Sequence, residues 1–261
     1  MSITRVGIVG SGIMGSGIAE VAAASGHEVV LRSRSADGAD AMVAALTKSL
    51  AKQVEKGKLT DAEAAEISGR VRATTHLGEL VDVDLVIESV VEDLTVKRDL
   101  FAELDSICKP ETILATNTST LPVVEMAMAT GRPITASDAT VAAAVEFAAR
   151  CGKEPVEVKD QAGFIVNALL FPYLNNAVRL YEQGVATKDG IDAAMKGGCG
   201  FPMGPFALLD LVGLDTSLAI LDALYDEFRD PNYAPVPLLR RLVASGQLGR
   251  KTKKGFYDYD R

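Results

Sequence analysis

Apolar residues in the first half of the chain keep switching between two rhythms. Residues 6–9, 29–31, 71–74, 84–91 and 112–115 are short apolar or alternating runs, the pattern of strands that end half or wholly buried. Between them the spacing lengthens to that of a helix. An alanine-rich stretch runs to Ala24, and Met42, Ala45, Leu46, Leu50 and Val54 mark one face of residues 37–56. Leu94, Leu100, Phe101 and Leu104 mark another over 92–107, and Thr60 has the hydroxyl needed to cap the Ala- and Glu-rich segment after it. Strands alternating with helices predict a parallel sheet covered on both faces.

Past Ala162 the strands stop. Helical patterns follow at 164–183, 188–196, 206–211 and 214–228, with Gly and Pro between them. A boundary is expected near Asp160-Gln161, directly after the strand-like 155–158, giving an α/β domain over 1–160 and an all-α domain over 161–261. The apolar faces at 164–173 and 208–224 exceed what one small bundle buries, so this half is expected to form a homodimer. No internal repeat or low-complexity tail interrupts the order.

The first strand feeds Gly10-x-Gly12-x-x-Gly15, which opens the first helix. Gly10 allows a tight turn, Gly12 lets the backbone approach a pyrophosphate, and Gly15 lets helix and strand pack closely. Free N–H groups at the helix N-terminus then meet an anion. Between a strand and a helix, with a second strand after them, these glycines predict a Rossmann-type doubly wound sheet and a dinucleotide ligand. The competing reading is a glycine turn kept for packing alone.

Composition narrows the function classes. With 48% hydrophobic and 24% charged residues, 261 residues can bury a sizeable core and have room for two modest domains. A net charge of −8 excludes a general nucleic-acid binder while leaving local basic spots for a phosphate-rich ligand. No signal-peptide pattern opens the chain and no apolar run is long enough for a bilayer, so a cytoplasmic protein without membrane attachment is expected. Cys108, Cys151 and Cys199 are odd in number and widely spaced, which fits reduced thiols better than a disulfide frame or metal site. His27 and His76 are the only histidines.

The segments VGIVGSGIMGSGIAE, LVIESVVEDLTVK, ILATNTSTLP, DQAGFIVNALLFPYLNNAV, GFPMGPFALLDLVGLD and LGRKTKKGFYDY, in this order, resemble the 3-hydroxyacyl-CoA dehydrogenase family, in particular its bacterial 3-hydroxybutyryl-CoA branch. The resemblance covers nearly the whole chain. It implies hydride exchange between a nicotinamide (NAD or NADP) and C3 of an acyl-CoA, interconverting 3-hydroxybutyryl-CoA and acetoacetyl-CoA. Ser119 and Asn167 match polar residues that hydrogen-bond the substrate near the reacting carbon; Ser119 taken alone could equally be a helix cap. Gly10, Gly12, Ile13, Met14, Gly15 and Asn117 match the cofactor site. Glu92 and Lys97 match residues on its nicotinamide side, and Lys251 matches a C-terminal lysine that reaches the cofactor. Without the motif, Glu92, Lys97 and Lys251 would read as solvated charges. Ser49, Lys52 and Lys56 match contacts to CoA phosphates, and the two lysines, four apart, share one helix face.

The chain departs from the family pattern twice. At the end of the second strand many members carry an acidic residue for the adenosine ribose; here Ser33 stands between Arg32 and Arg34. Loss of the carboxylate removes repulsion against a 2′-phosphate, and two guanidiniums offer charge-assisted bonds to one. NADP(H) is therefore expected to be tolerated or preferred, unless both arginines point to solvent.

The second departure follows Gly131-Arg132-Pro133. Family members continue into a strand bearing His-Phe-Phe-Asn-Pro and then a short strand ending in glutamate, but here Ile134 comes next. The histidine is the family's general base and the glutamate orients it. His27, in a turn, and His76, on a loop, read as surface histidines and not as substitutes. Either residues are omitted after Pro133 or the polypeptide is shortened. The uncovered strand edges a shortening would leave favour omission. An intact mass of 27.5 kDa would establish the shortening. A shortened chain could be an impaired or non-catalytic binder of nucleotide and acyl-CoA. Another alternative is a dehydrogenase of free 3-hydroxy acids with a lysine base, which would lack the Ser49, Lys52, Lys56 face.

Overall fold

The computed structural model describes residues 2–260. The chain forms two compact units, Met1–Thr118 with Pro122–Glu157, and Ser119–Leu121 with Val158–Arg261. The first contains β1 (Arg5–Val9), α1 (Ile13–Ala24), β2 (Glu28–Arg32), α2 (Ala36–Glu55), α3 (Asp61–Gly69), β3 (Val71–Thr74), β4 (Leu85–Glu88), α4 (Leu94–Ile107), β5 (Ile113–Thr116), α5 (Val123–Ala127) and α6 (Asp138–Arg150). Its five strands are parallel, in the order β3-β2-β1-β4-β5, with Val6 opposite both Val29 and Leu85.

Alternation along the strands divides the core. Val6, Ile8, Val29, Leu31 and Leu85 pack with Ala19, Ala22 and Ala23 of α1 and Met42, Leu46 and Leu50 of α2. Val9, Val30 and Val86 point to the other face, against Leu100 and Leu104 of α4. Side-chain caps set the helix starts. Ser35, Asp93 and Ser137 accept from Gly38, Val96 and Thr140 amides, and Thr60 forms a reciprocal capping box with Glu63. The apolar run 84–91 leaves the sheet after Glu88, because the Glu88 carboxylate accepts from the Val90 amide at 2.6 Å and turns the chain away.

One expectation fails beside β5. Residues 155–158 form no strand: the segment is exposed, Val156 to 67%, and pairs with nothing among the described residues. A strand needs a neighbour, and β5 is the outermost one present. Arg132 fastens the loop next to β5, donating to Asp105 at 2.7 Å and to the carbonyls of Lys109, Pro110 and Thr112. The chain continues from Pro133 through Ile134 into α6. Beside β5 runs a groove lined by Ile113, Leu114, Pro133 and Ile134.

His27 is not a surface residue. It is 1% exposed, its ring lies 5.0 Å from that of Phe147 on α6, and its buried Nε2 makes no hydrogen bond. Burial, and then Arg150, hold its pKa below the ordinary histidine value against a bond to the Ile3 backbone. Unfolded chains therefore take up a proton at a higher pH than the native protein does, and stability is lost as pH falls below about 6.5. Thermal unfolding followed at pH 7.5, 6.5 and 5.5 should show this decline, and His27→Phe should flatten it. An unchanged slope in the variant would assign the pH dependence elsewhere.

The second unit contains α7 (Val166–Glu182), α8 (Lys188–Cys199), α9 (Pro205–Val212), α10 (Leu214–Phe228) and α11 (Pro237–Ala244), packed around Leu174, Val178, Phe206, Leu209, Leu221 and Leu239. α7 starts later than its pattern predicts because Phe164 sits at φ 45°, outside helical space. Buried Asp210 clamps the C-terminal segment, accepting from the Phe256 and Tyr257 amides at 2.9 and 2.8 Å and the Tyr259 hydroxyl at 3.1 Å. A Cβ on Gly255 would lie 2.0 Å from the Asp210 Oδ1, so glycine is required there.

Candidate active site

In a doubly wound sheet the ligand crevice opens where strand order reverses, at the carboxyl ends of the strands. Here that point lies between β1 and β4. A cavity of about 650 Å³ occupies it, lined by Gly10, Ser11, Gly12, Ile13 and Met14 after β1, Arg32 at the end of β2 and Arg34 beyond it, Ser89, Val90 and Val91 after β4, and Asn117 after β5. Val96, Asp99, Leu100 and Glu103 of α4 complete it, with Leu77.

The glycines have separable reasons. Gly10 adopts φ 134°, and a Cβ there would lie 2.1 Å from the Ser89 carbonyl oxygen. A Cβ on Gly15 would lie 2.2 Å from the Gly10 oxygen, so the helix could not approach the turn. Around Gly12 nothing stands within 4 Å, which leaves its backbone open. Gly12 is also the N-cap of α1 and brings no side-chain cap, so the first amides of the helix are free for an anion. Ile13 is 93% exposed beside them. A turn that no other residue could make, open backbone and uncapped amides fit a dinucleotide diphosphate.

Arg32 and Arg34 both border the cavity, whereas Ser33 does not. Its side chain is buried and turned under the start of α2, where a Cβ on Gly38 would come within 2.2 Å of its Oγ. Of the three residues at this position, only the arginines line the cavity.

Glu92 and Lys97 belong to one ionic cluster at the ends of β4 and β5. Lys97 Nζ donates to both Glu88 oxygens at 2.7 and 2.8 Å and pairs with Glu92 at 3.2 Å. Thr116 donates to Glu88 at 2.7 Å and Thr118 to Glu92. Lys97 is 1% and Glu88 0% exposed, so the solvated reading fails for the lysine. Glu88 was missed because nothing in an apolar run marks one carboxylate as buried. The cluster fixes the backbone at Val90 and lies beside Asn117, whose amide donates to the Glu88 carbonyl at 2.8 Å.

In the second unit Ser119 and Asn167 meet: Asn167 Nδ2 donates to Ser119 Oγ at 3.1 Å. Lys251 pairs instead with Asp215 at 2.5 Å. Burial would raise the Asp215 carboxyl, but Lys251 and the Thr216 amide outweigh it and hold it below the usual range. On α2, Ser49 is half-buried and Lys52 exposed, with Lys56 exposed at the helix end. Among the described residues, no histidine borders the cavity. The described residues hold no cluster of three metal-ligating side chains, and none of their helices is long and apolar enough to cross a membrane.

Residues 5–136 match the profile of the 3-hydroxyacyl-CoA dehydrogenase NAD binding domain, and residues 163–259 that of its C-terminal domain. The 3-hydroxybutyryl-CoA dehydrogenase of Clostridioides difficile is 45% identical over 280 positions, covering 98% of this chain and 100% of that protein. Those 280 positions against 261 residues leave at least 19 with no residue here. The crystal structure of Mycobacterium tuberculosis FadB2 superposes with a TM-score of 0.97 at 42% identity, over 99% of this chain and 100% of that one. The (S)-3-hydroxybutyryl-CoA dehydrogenase PaaH1 of Ralstonia eutropha superposes with a TM-score of 0.95 at 37% identity, over the whole of both chains. The chain belongs to the 3-hydroxyacyl-CoA dehydrogenase family.

Proposed function

We propose that this chain binds NAD(H), accepts NADP(H), and interconverts 3-hydroxybutyryl-CoA and acetoacetyl-CoA slowly, because no imidazole stands ready to exchange the hydroxyl proton. The observation that carries the reading is the glycine-walled cavity at the strand-order reversal. A nicotinamide held there would supply the hydride exchange with C3 of the thioester.

The chain's own residues do the rest. Amides at Gly12 and the start of α1 take the diphosphate, and Arg32 and Arg34 take a 2′-phosphate where one is present. Ser119 Oγ already accepts from Asn167, so its hydroxyl proton is left to donate to a substrate oxygen. Neither an alcohol nor an amide takes up a proton near neutral pH, so the pair orients and polarises but is no base. Lys52 and Lys56 hold CoA phosphate from one helix face. The exposed apolar residues Val166 and Leu169 of α7 provide a face for a second copy, and sedimentation as a single chain would remove that part.

Acetoacetyl-CoA and free acetoacetate, each offered with NADH and with NADPH, test the function. Reduction of the thioester by both nucleotides, with little or none of the free acid, is expected. Equal rates on the free acid would favour a 3-hydroxy acid dehydrogenase, and NADH use alone would remove the NADP(H) reading.

A further inference from the structure

The β2 end of the cavity holds charges of both signs. Arg32 and Arg34 enter from the strand, while Asp99 and Glu103, one turn apart on α4, enter from the opposite wall. Arg32 is half-buried, and its Nε has neither water access nor a hydrogen-bond partner. Burial lowers the Arg32 pKa, Glu103 opposes that shift, and Arg34 adds to it. A buried donor without a partner is unfavourable, and an incoming anion relieves it. That anion would bind in a cavity that the Glu103 carboxylate also lines.

We propose that Glu103, which lines the same cavity, sets how readily the Arg32–Arg34 pair accepts a 2′-phosphate, a role that rests on the dinucleotide reading of the cavity. The physics is selective. A ribose hydroxyl is neutral and feels little from Glu103, whereas a phosphate dianion gains from two guanidiniums and loses to a carboxylate lining the same cavity. Glu103 thus acts against NADP(H) alone. Without it the site would favour that cofactor more strongly.

Glu103→Gln tests this, because the residue is exposed on α4 and the amide keeps its shape. NADH and NADPH are titrated into wild type and variant, with the nucleotide's own fluorescence as readout. The variant should bind NADPH roughly three- to tenfold more tightly and NADH within about twofold of wild type. Asp99→Asn, on the same wall, should leave the ratio of the two dissociation constants unchanged. An unchanged ratio in Glu103→Gln overturns the proposal, as does weaker NADH binding, which would assign Glu103 to the ribose hydroxyls. Failure of folded wild type to bind either nucleotide would overturn the cavity reading itself.

Discussion

Acetoacetyl-CoA reduction by this chain is expected to run about 10²–10⁴-fold slower than by a relative that supplies an imidazole, the factor a positioned acid–base group contributes. Ser119 and Asn167 can hold a carbonyl but cannot exchange a proton with it near neutrality. His27 is packed against Phe147 in the core, and His76 stands exposed at the head of a short turn. Solvent is left to do the work of the base. Free imidazole should therefore raise the rate in proportion to its concentration, and in the oxidative direction the gain should grow as its neutral form accumulates. Steady-state rates with and without imidazole, at several pH values, provide the check. Full speed without it would mean that another group moves the proton.

Replacing Lys97 by Met should destabilise the first unit by about 3–5 kcal/mol, because it strands the Glu88 carboxylate in the interior. Glu88 is 0% exposed, and the bonds it would keep, from Thr116 and the Val90 amide, do not neutralise its charge. In a chain of this size each kcal/mol lowers the melting temperature by roughly 2–4 °C, so a drop on the order of 10 °C is expected. Glu88→Gln combined with Lys97→Met removes both charges and should recover most of it. A double variant no better than the single one would show that the pair is not what the single substitution breaks.

Elements set by local pattern were legible in the sequence. The apolar runs that became β1 to β5 and the faces of α2 and α4 need only neighbouring residues to declare themselves. So did the glycine turn, since Gly10 answers a clash with the Ser89 carbonyl and Gly15 one within the turn itself. What escaped depended on distant partners. His27 is buried by α6, far along the chain, and α6 itself lay in a stretch from which no helix was expected, although Ser137 caps it and Ala143 and Phe147 pack beneath it. Residues 155–158 have the alternation of a strand, but alternation supplies no neighbour to pair with. Ser33 illustrates a finer limit. Its place at the end of β2 was plain, but only the structure shows that its side chain turns under α2 and leaves the cavity wall to Arg32 and Arg34.

Titration of NADH into folded protein of intact mass 27.5 kDa, followed by nucleotide fluorescence, tests the central claim most directly. Saturable binding that free NAD⁺ displaces is the predicted result. No saturable complex with NADH, and none with NADPH, would contradict it.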